Sequence, residues 1–177
     1  AQQLYEGVDI KGHGTLGLIT YLRTDSTRVA AEADQSARQF IEEQYGKEYI
    51  STGNAVKKTN EKIQDAHEAI RPTDITLTLT KVKDSLSRDQ FRLYQLIWMR
   101  FAASRMSGAV YETTSVKIDA GGNQFGMTAS RLKFDGFMSV YTEAGEKEEK
   151  TQPLAELEKG EELRLEEMLS AQHFTQP

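Results

Sequence analysis

The hydrophobic period of this chain changes once, at Gly108, and that change limits what it can fold into. Upstream, apolar residues recur every three or four positions, as on one face of a helix. Downstream, Val110, Glu112, Thr114, Val116 and Ile118 alternate with a period of two up to Gly121-Gly122, and Phe125 and Met127 begin a return strand. Leu132, Phe134, Asp135-Gly136, Phe137 and Val140 mark a further hairpin, and Leu163 and Leu165 one last strand. The expectation is an α+β chain, mainly helical over residues 1–107 and antiparallel β over 108–177.

Within the first part, "SRDQFRLYQLIWMRFAASRM" opens on a Ser87/Gln90 capping box. It carries Leu93, Ile97 and Phe101 as one ridge and Tyr94 and Trp98 as the next, and predicts a helix ending at Gly108. Leu16 to Thr24 fits a strand, with Leu18, Thr20 and Leu22 on one face and Ile19, Tyr21 and Arg23 on the other. Thr24, Asp25 and Ser26 then offer N-caps for a helix to about Tyr45, stopped by Gly46. Residues 47–62 are polar and read as a surface loop, and 143–150 as an acidic one. Ile63, Ala66 and Ile70 have helical spacing that must end before Pro72. "AQQLYEG" looks like the last turns of a helix stopped by Gly7, and the chain closes without a capping element; it reads as an excised piece of a larger protein.

Charge divides at the same boundary as period. Residues 1–107 hold 15 Lys and Arg against 14 Asp and Glu, a net of +1, while 108–177 hold 7 against 13, a net of −6. An anionic partner therefore suits the first part, since a local basic patch sets the attraction to phosphate, not the chain total of −5. Absence of Cys excludes disulfides, thiol catalysis and zinc ribbons, and three scattered His offer no metal-ligand spacing. No metal site is expected within the chain. With no apolar run of the roughly 18 residues a span requires and no signal-peptide pattern, a cytoplasmic protein without membrane contact is expected.

Tyr21 and Arg23 are the first candidates for chemistry. On spacing alone, a tyrosine beside Ile19 is more often a core ring with a satisfied hydroxyl. A phenol with its ordinary pKa near ~10 is a poor nucleophile unless a cation or base favours its ionised form. Arg23, permanently charged and able to hold two phosphate oxygens, could do that or steady an attacked phosphodiester. His67 lies four residues before Arg71, so both could face one phosphate; a solvated helix face is the blander reading.

"GLITYLRTDSTR" at 17–28, "QDAHEAIRPTD" at 64–74, the 87–106 segment and the terminal "QHFTQP" together resemble the type IA DNA topoisomerases of bacteria, in order and over essentially the whole chain. That resemblance implies that Tyr21 attacks a phosphodiester of single-stranded DNA and becomes linked to the 5′-phosphate. Arg23 would position and stabilise the scissile phosphate, and His67 would assist DNA binding and cleavage geometry. Arg71 matches a family position as a phosphate contact, and Asp25 as an N-cap. The implied reaction is ATP-independent relaxation of negatively supercoiled DNA, consistent with the lack of a GxxxxGK[ST] loop. The implied cofactor is Mg²⁺, held by a toprim domain outside this chain. By the same resemblance, 1–107 is a helix-turn-helix-like gate domain bearing the nucleophile, 108–177 is one arm of a β-rich arch, and the protein acts as a monomer. "GHGT" at 12–15 departs from the usual family turn. The competing class is a non-catalytic module for single-stranded nucleic acid in which Tyr21 merely stacks on a base; a purely structural domain is a third.

Overall fold

The computed structural model describes residues 1–52, 67–141, 157–172 and 174. In chain order it contains α1 (Gln2–Glu6), β1 (Val8–Ile10), β2 (Gly14–Leu16), α2 (Ala31–Tyr45), α3 (Leu79–Val82), α4 (Arg88–Ala103), β3 (Val110–Ala120) and β4 (Asn123–Phe134). Single 3₁₀ turns lie at Lys47–Tyr49, Lys83–Ser85 and Gly136–Ser139. The architecture is an α+β mix with two antiparallel two-stranded sheets, β1-β2 and β3-β4.

α4 forms where its local chemistry dictates. Ser87 accepts from the Gln90 amide at 3.3 Å, and the Gln90 side chain accepts from the Ser87 amide at 2.8 Å, closing the capping box. Its inward stripe is Tyr94, Trp98, Phe101 and Ala102, each buried. Phe40 of α2 meets Trp98 edge-on at 5.9 Å, and Ala37 and Ile41 share that α2 face. Leu4, Ile10, Leu18, Ile19, Ile75, Leu77 and Val82 complete the same core. Burying a side chain of this size contributes about 1.5–3 kcal/mol, so packing against α2 and α4 is the main support of the irregular segments around them. The polar edges of the core rings do further positioning: Tyr94 Oη donates to Leu77 O at 2.7 Å and Trp98 Nε1 to Ile75 O at 2.9 Å, which pins the otherwise irregular 75–77 backbone.

α4 ends at Ala103, short of the expected Gly108. Residues 105–107 instead pair with 49–51: Ser51 N donates to Arg105 O at 3.0 Å and Ser107 N to Tyr49 O at 2.8 Å. α2 also begins later than expected, at Ala31, and Asp25 caps no helix. The Thr24 and Ser26 hydroxyls accept from the amides of Ser26 and Arg28, local turns that compete with helix, and tertiary bonds to residues 67–69 hold the stretch open. Gly46 does terminate α2, with φ 111°.

The ribbon β3-β4 follows the period-two reading, with Val116 opposite Met127 and Ile118 opposite Phe125, closed by Gly121-Gly122 at φ 57° and 78°. Phe125 and Met127 remain exposed. The hairpin expected after Leu132 is absent: β4 runs through to Phe134, then the Gly136–Ser139 turn returns Val140 to the core. No strand forms at Leu163 and Leu165, whose side chains are exposed, and no sheet among the described residues pairs with them. The acidic 143–150 loop, His173, and Ile63 and Ala66 of the expected short helix lie outside the described residues.

Candidate active site

The strand expected from Leu16 to Thr24 is realised only at its start. After β2 the chain runs extended, and Ile19 forms an isolated antiparallel bridge with Pro72, flanked by Thr20 N donating to Arg71 O at 2.9 Å and Thr73 N to Leu18 O at 3.0 Å. The pairing goes no further, because the amides that would extend it are used elsewhere: Leu18 N donates to Leu4 O and Arg71 N to the Thr20 hydroxyl. Leu18 and Ile19 are both buried, which breaks strict alternation, because the segment is enclosed by the α1 end on one side and residues 71–73 on the other. Thr20 fastens the junction: its hydroxyl donates to Ala69 O and accepts from Arg71 N, both at 3.0 Å.

Beyond Thr20 the backbone is irregular and the next side chain, Tyr21, stands 44% exposed. Two rings flank it. Tyr5 of α1 lies edge-on with centroids 5.6 Å apart, and His67 lies tilted by 30° at 5.9 Å. Tyr21 is therefore a surface ring and not a core one. Arg23, two residues on, is exposed and forms no hydrogen bond or ion pair with the described residues, so its guanidinium is available to an anion.

His67 to Ile70 are not helical. They are held against the chain that follows Tyr21: Arg28 Nη2 donates to His67 O at 3.3 Å, Ala69 N to Arg28 O at 2.8 Å, and Ala30 N to Glu68 Oε2 at 3.4 Å. The same Glu68 oxygen takes Nε and Nη2 of Arg71, each at 2.9 Å, while Arg71 Nη1 bonds Pro72 O at 3.0 Å. The Arg71 side chain is 13% exposed. The structure thus brings Tyr21 and His67 together, leaves Arg23, two residues after Tyr21, open to solvent, and turns Arg71 inward to Glu68. Tyr5, Arg28 and Thr20 complete the site without a sequence signal, because each acts across a fold contact that no local spacing encodes.

Among the described residues no cluster of three or more His, Asp or Glu could hold a metal ion, and no helix is long and apolar enough to cross a membrane.

A family model described as DNA topoisomerase matches residues 1–177, the entire chain. The chain belongs to the bacterial type IA DNA topoisomerase family. Full-length topoisomerase I from Thermotoga maritima is similar in structure, with a TM-score of 0.70 and 39% sequence identity. The match takes in 90% of this chain and 24% of that protein, so this topoisomerase chain spans about a quarter of the relative's length.

Proposed function

We propose that this chain carries the nucleophile of a type IA topoisomerase that cleaves, passes and reseals one DNA strand without ATP. The observation that supports this best is the exposed phenol of Tyr21, flanked by His67 and followed by the open cation Arg23. Family membership makes DNA the substrate to test first.

In the proposed reaction the Tyr21 phenolic oxygen attacks phosphorus, forming an O–P bond to the 5′-phosphate as the bond from phosphorus to the 3′-oxygen breaks. In the net exchange the phenol loses a proton and the departing strand gains one as its 3′-hydroxyl. One phosphoester replaces another, so resealing is the same step reversed and no nucleotide is consumed. Arg23 holds the phosphate oxygens and offsets the charge that builds on them, and His67 sets the orientation of the attacking ring or adds a second charge. Arg71, whose guanidinium nitrogens bond Glu68 and Pro72, supports the loop that presents His67, and its role as a phosphate contact rests on the resemblance alone.

Among the described residues no acidic cluster could hold a magnesium ion. We assign Mg²⁺ to a toprim domain elsewhere in the protein, 1–107 to a gate domain and 108–177 to an arm of an arch. A preference for single-stranded and negatively supercoiled DNA, a monomeric state and a cytoplasmic location belong to the same reading.

The test is relaxation of negatively supercoiled plasmid by the full-length protein with Mg²⁺ and without ATP. Tyr21→Phe keeps the ring and removes the attacking oxygen, so relaxation and the covalent DNA adduct should both vanish while single-strand binding persists. Relaxation by the variant at wild-type rate would return Tyr21 to a stacking role and sink the proposal.

A further inference from the structure

Tyr21 lies on a backbone stretch with no regular hydrogen-bonded ladder, so something else must fix the direction of its ring. His67 supplies one neighbour. The other comes from α1. Leu4, fully buried, anchors that helix, and its carbonyl accepts from Leu18 N at 2.7 Å and Ile19 N at 3.3 Å. The next carbonyl, of Tyr5, lies so near Gly17 that a Cβ there would sit 2.5 Å from the oxygen, well inside van der Waals contact. Gly17 is thus the residue that lets the end of α1 rest directly on the segment leading to Tyr21. Seated this way, Tyr5 presents its ring to Tyr21 at 5.6 Å and 68°, the edge-to-face arrangement that aromatic quadrupoles favour.

We propose that Tyr5 is a positioning residue for the Tyr21 nucleophile: its ring, held by the α1–Gly17 contact, restricts Tyr21 to the orientation from which the phenol oxygen can attack in line. The inference rests on the proposed role of Tyr21 and deepens it. It assigns Tyr5 no contact with the reacting atoms. Its effect should fall on the rate of attack and not on DNA affinity, because loss of the ring edge frees Tyr21 to rotate without removing a group that binds phosphate.

The experiment measures single-turnover formation of the covalent adduct on a single-stranded oligonucleotide, with the dissociation constant of the same oligonucleotide, in the full-length protein. Tyr5→Phe keeps the ring and should stay within about twofold of wild type, whereas Tyr5→Ala should slow adduct formation about tenfold or more at an unchanged dissociation constant. Tyr5→Leu, which retains apolar bulk without an aromatic edge, should behave as Tyr5→Ala and serves if the alanine variant does not fold. Wild-type rates in the leucine or alanine variant would overturn the proposal. So would an equal loss in Tyr5→Phe, which would assign the effect to the hydroxyl, or a weakening of binding that accounts for the loss. Tyr21→Phe run alongside separates the two levels: an adduct formed by that variant refutes the nucleophile itself, while its absence together with a normal Tyr5→Ala refutes only the role of Tyr5.

Discussion

Arg28 holds the His67 segment by two bonds: its guanidinium donates to the His67 carbonyl at 3.3 Å, and its own carbonyl accepts from Ala69 N, two residues on, at 2.8 Å. The two segments carrying Tyr21 and His67 are distant in sequence, and this pair of bonds closes the gap between them. Glu68 adds a third tie by accepting from Ala30 N.

Removal of the Arg28 side chain leaves the Ala69–Arg28 backbone bond and deletes only the grip on the His67 carbonyl. Arg28→Ala should therefore slow DNA cleavage by about threefold to tenfold through a loosened His67, with a stability change of at most about 1 kcal/mol because Arg28 is exposed. Arg23→Ala, which removes the open cation two residues after Tyr21, should cost more, about 10²-fold. Adduct formation under single-turnover conditions, set against thermal unfolding of the same variants, checks the ordering; an Arg28→Ala loss equal to that of Arg23→Ala would show that Arg28 meets the phosphate itself.

How much of this could be read from the sequence depends on the range of the interactions involved. α4 was legible because its capping box and the spacing of Tyr94, Trp98 and Phe101 act within a few residues. The β3-β4 ribbon was legible because alternation and a Gly-Gly turn are local too. The start of α2 was not, since Thr24 and Ser26 can cap a helix or bond their own neighbours, and contacts with residues 67–69 decide between the two. Leu163 and Leu165 alternate like a strand but pair with no strand among the described residues. Tyr21, Arg23 and His67 could be named in advance as chemically suited side chains. That Tyr21 lies between His67 and Tyr5 could not, because those contacts depend on the long-range Ile19–Pro72 bridge and on Gly17 admitting α1.

Asp34 links α2 to the end of α4 and should give the chain an acid-sensitive joint. Its carboxylate takes Arg38 Nε at 2.7 Å and Arg105 Nη1 at 2.9 Å, and Arg38 reaches on to Ser51 O at 2.8 Å. Burial by itself would raise the Asp34 pKa, but the hydrogen bonds and charges of Arg38 and Arg105 outweigh it and hold the group below its ordinary 3.8. A carboxylate whose folded pKa is depressed stabilises the fold above its unfolded value, and that contribution is lost as pH falls through the folded value. Asp34→Asn should cost about 1–2 kcal/mol near neutrality. Urea midpoints followed from pH 7 down below the ordinary 3.8 should draw together between variant and wild type as the charge of wild-type Asp34 is lost.

Tyr94 makes the opposite prediction at the alkaline end. It is fully buried in α4, with its hydroxyl donated to Leu77 O, and burial together with the nearby negative charge of Asp74 pushes its pKa far above the ordinary 10.0. The unfolded chain ionises this phenol near the ordinary value, while the folded chain keeps it neutral. Stability from this group is therefore complete below that value and declines as pH rises from it toward the folded pKa. Tyr94→Phe leaves the Leu77 carbonyl buried without its donor and should cost about 1–2 kcal/mol at pH 7. The same variant has no phenol to ionise on unfolding, so its stability should fall less steeply above pH 10 and the gap to wild type should narrow. Unfolding midpoints taken at pH 7, 9 and 11 measure both effects; a gap that stays constant across the series would mean that ionisation of Tyr94 on unfolding does not set the alkaline limit of the fold.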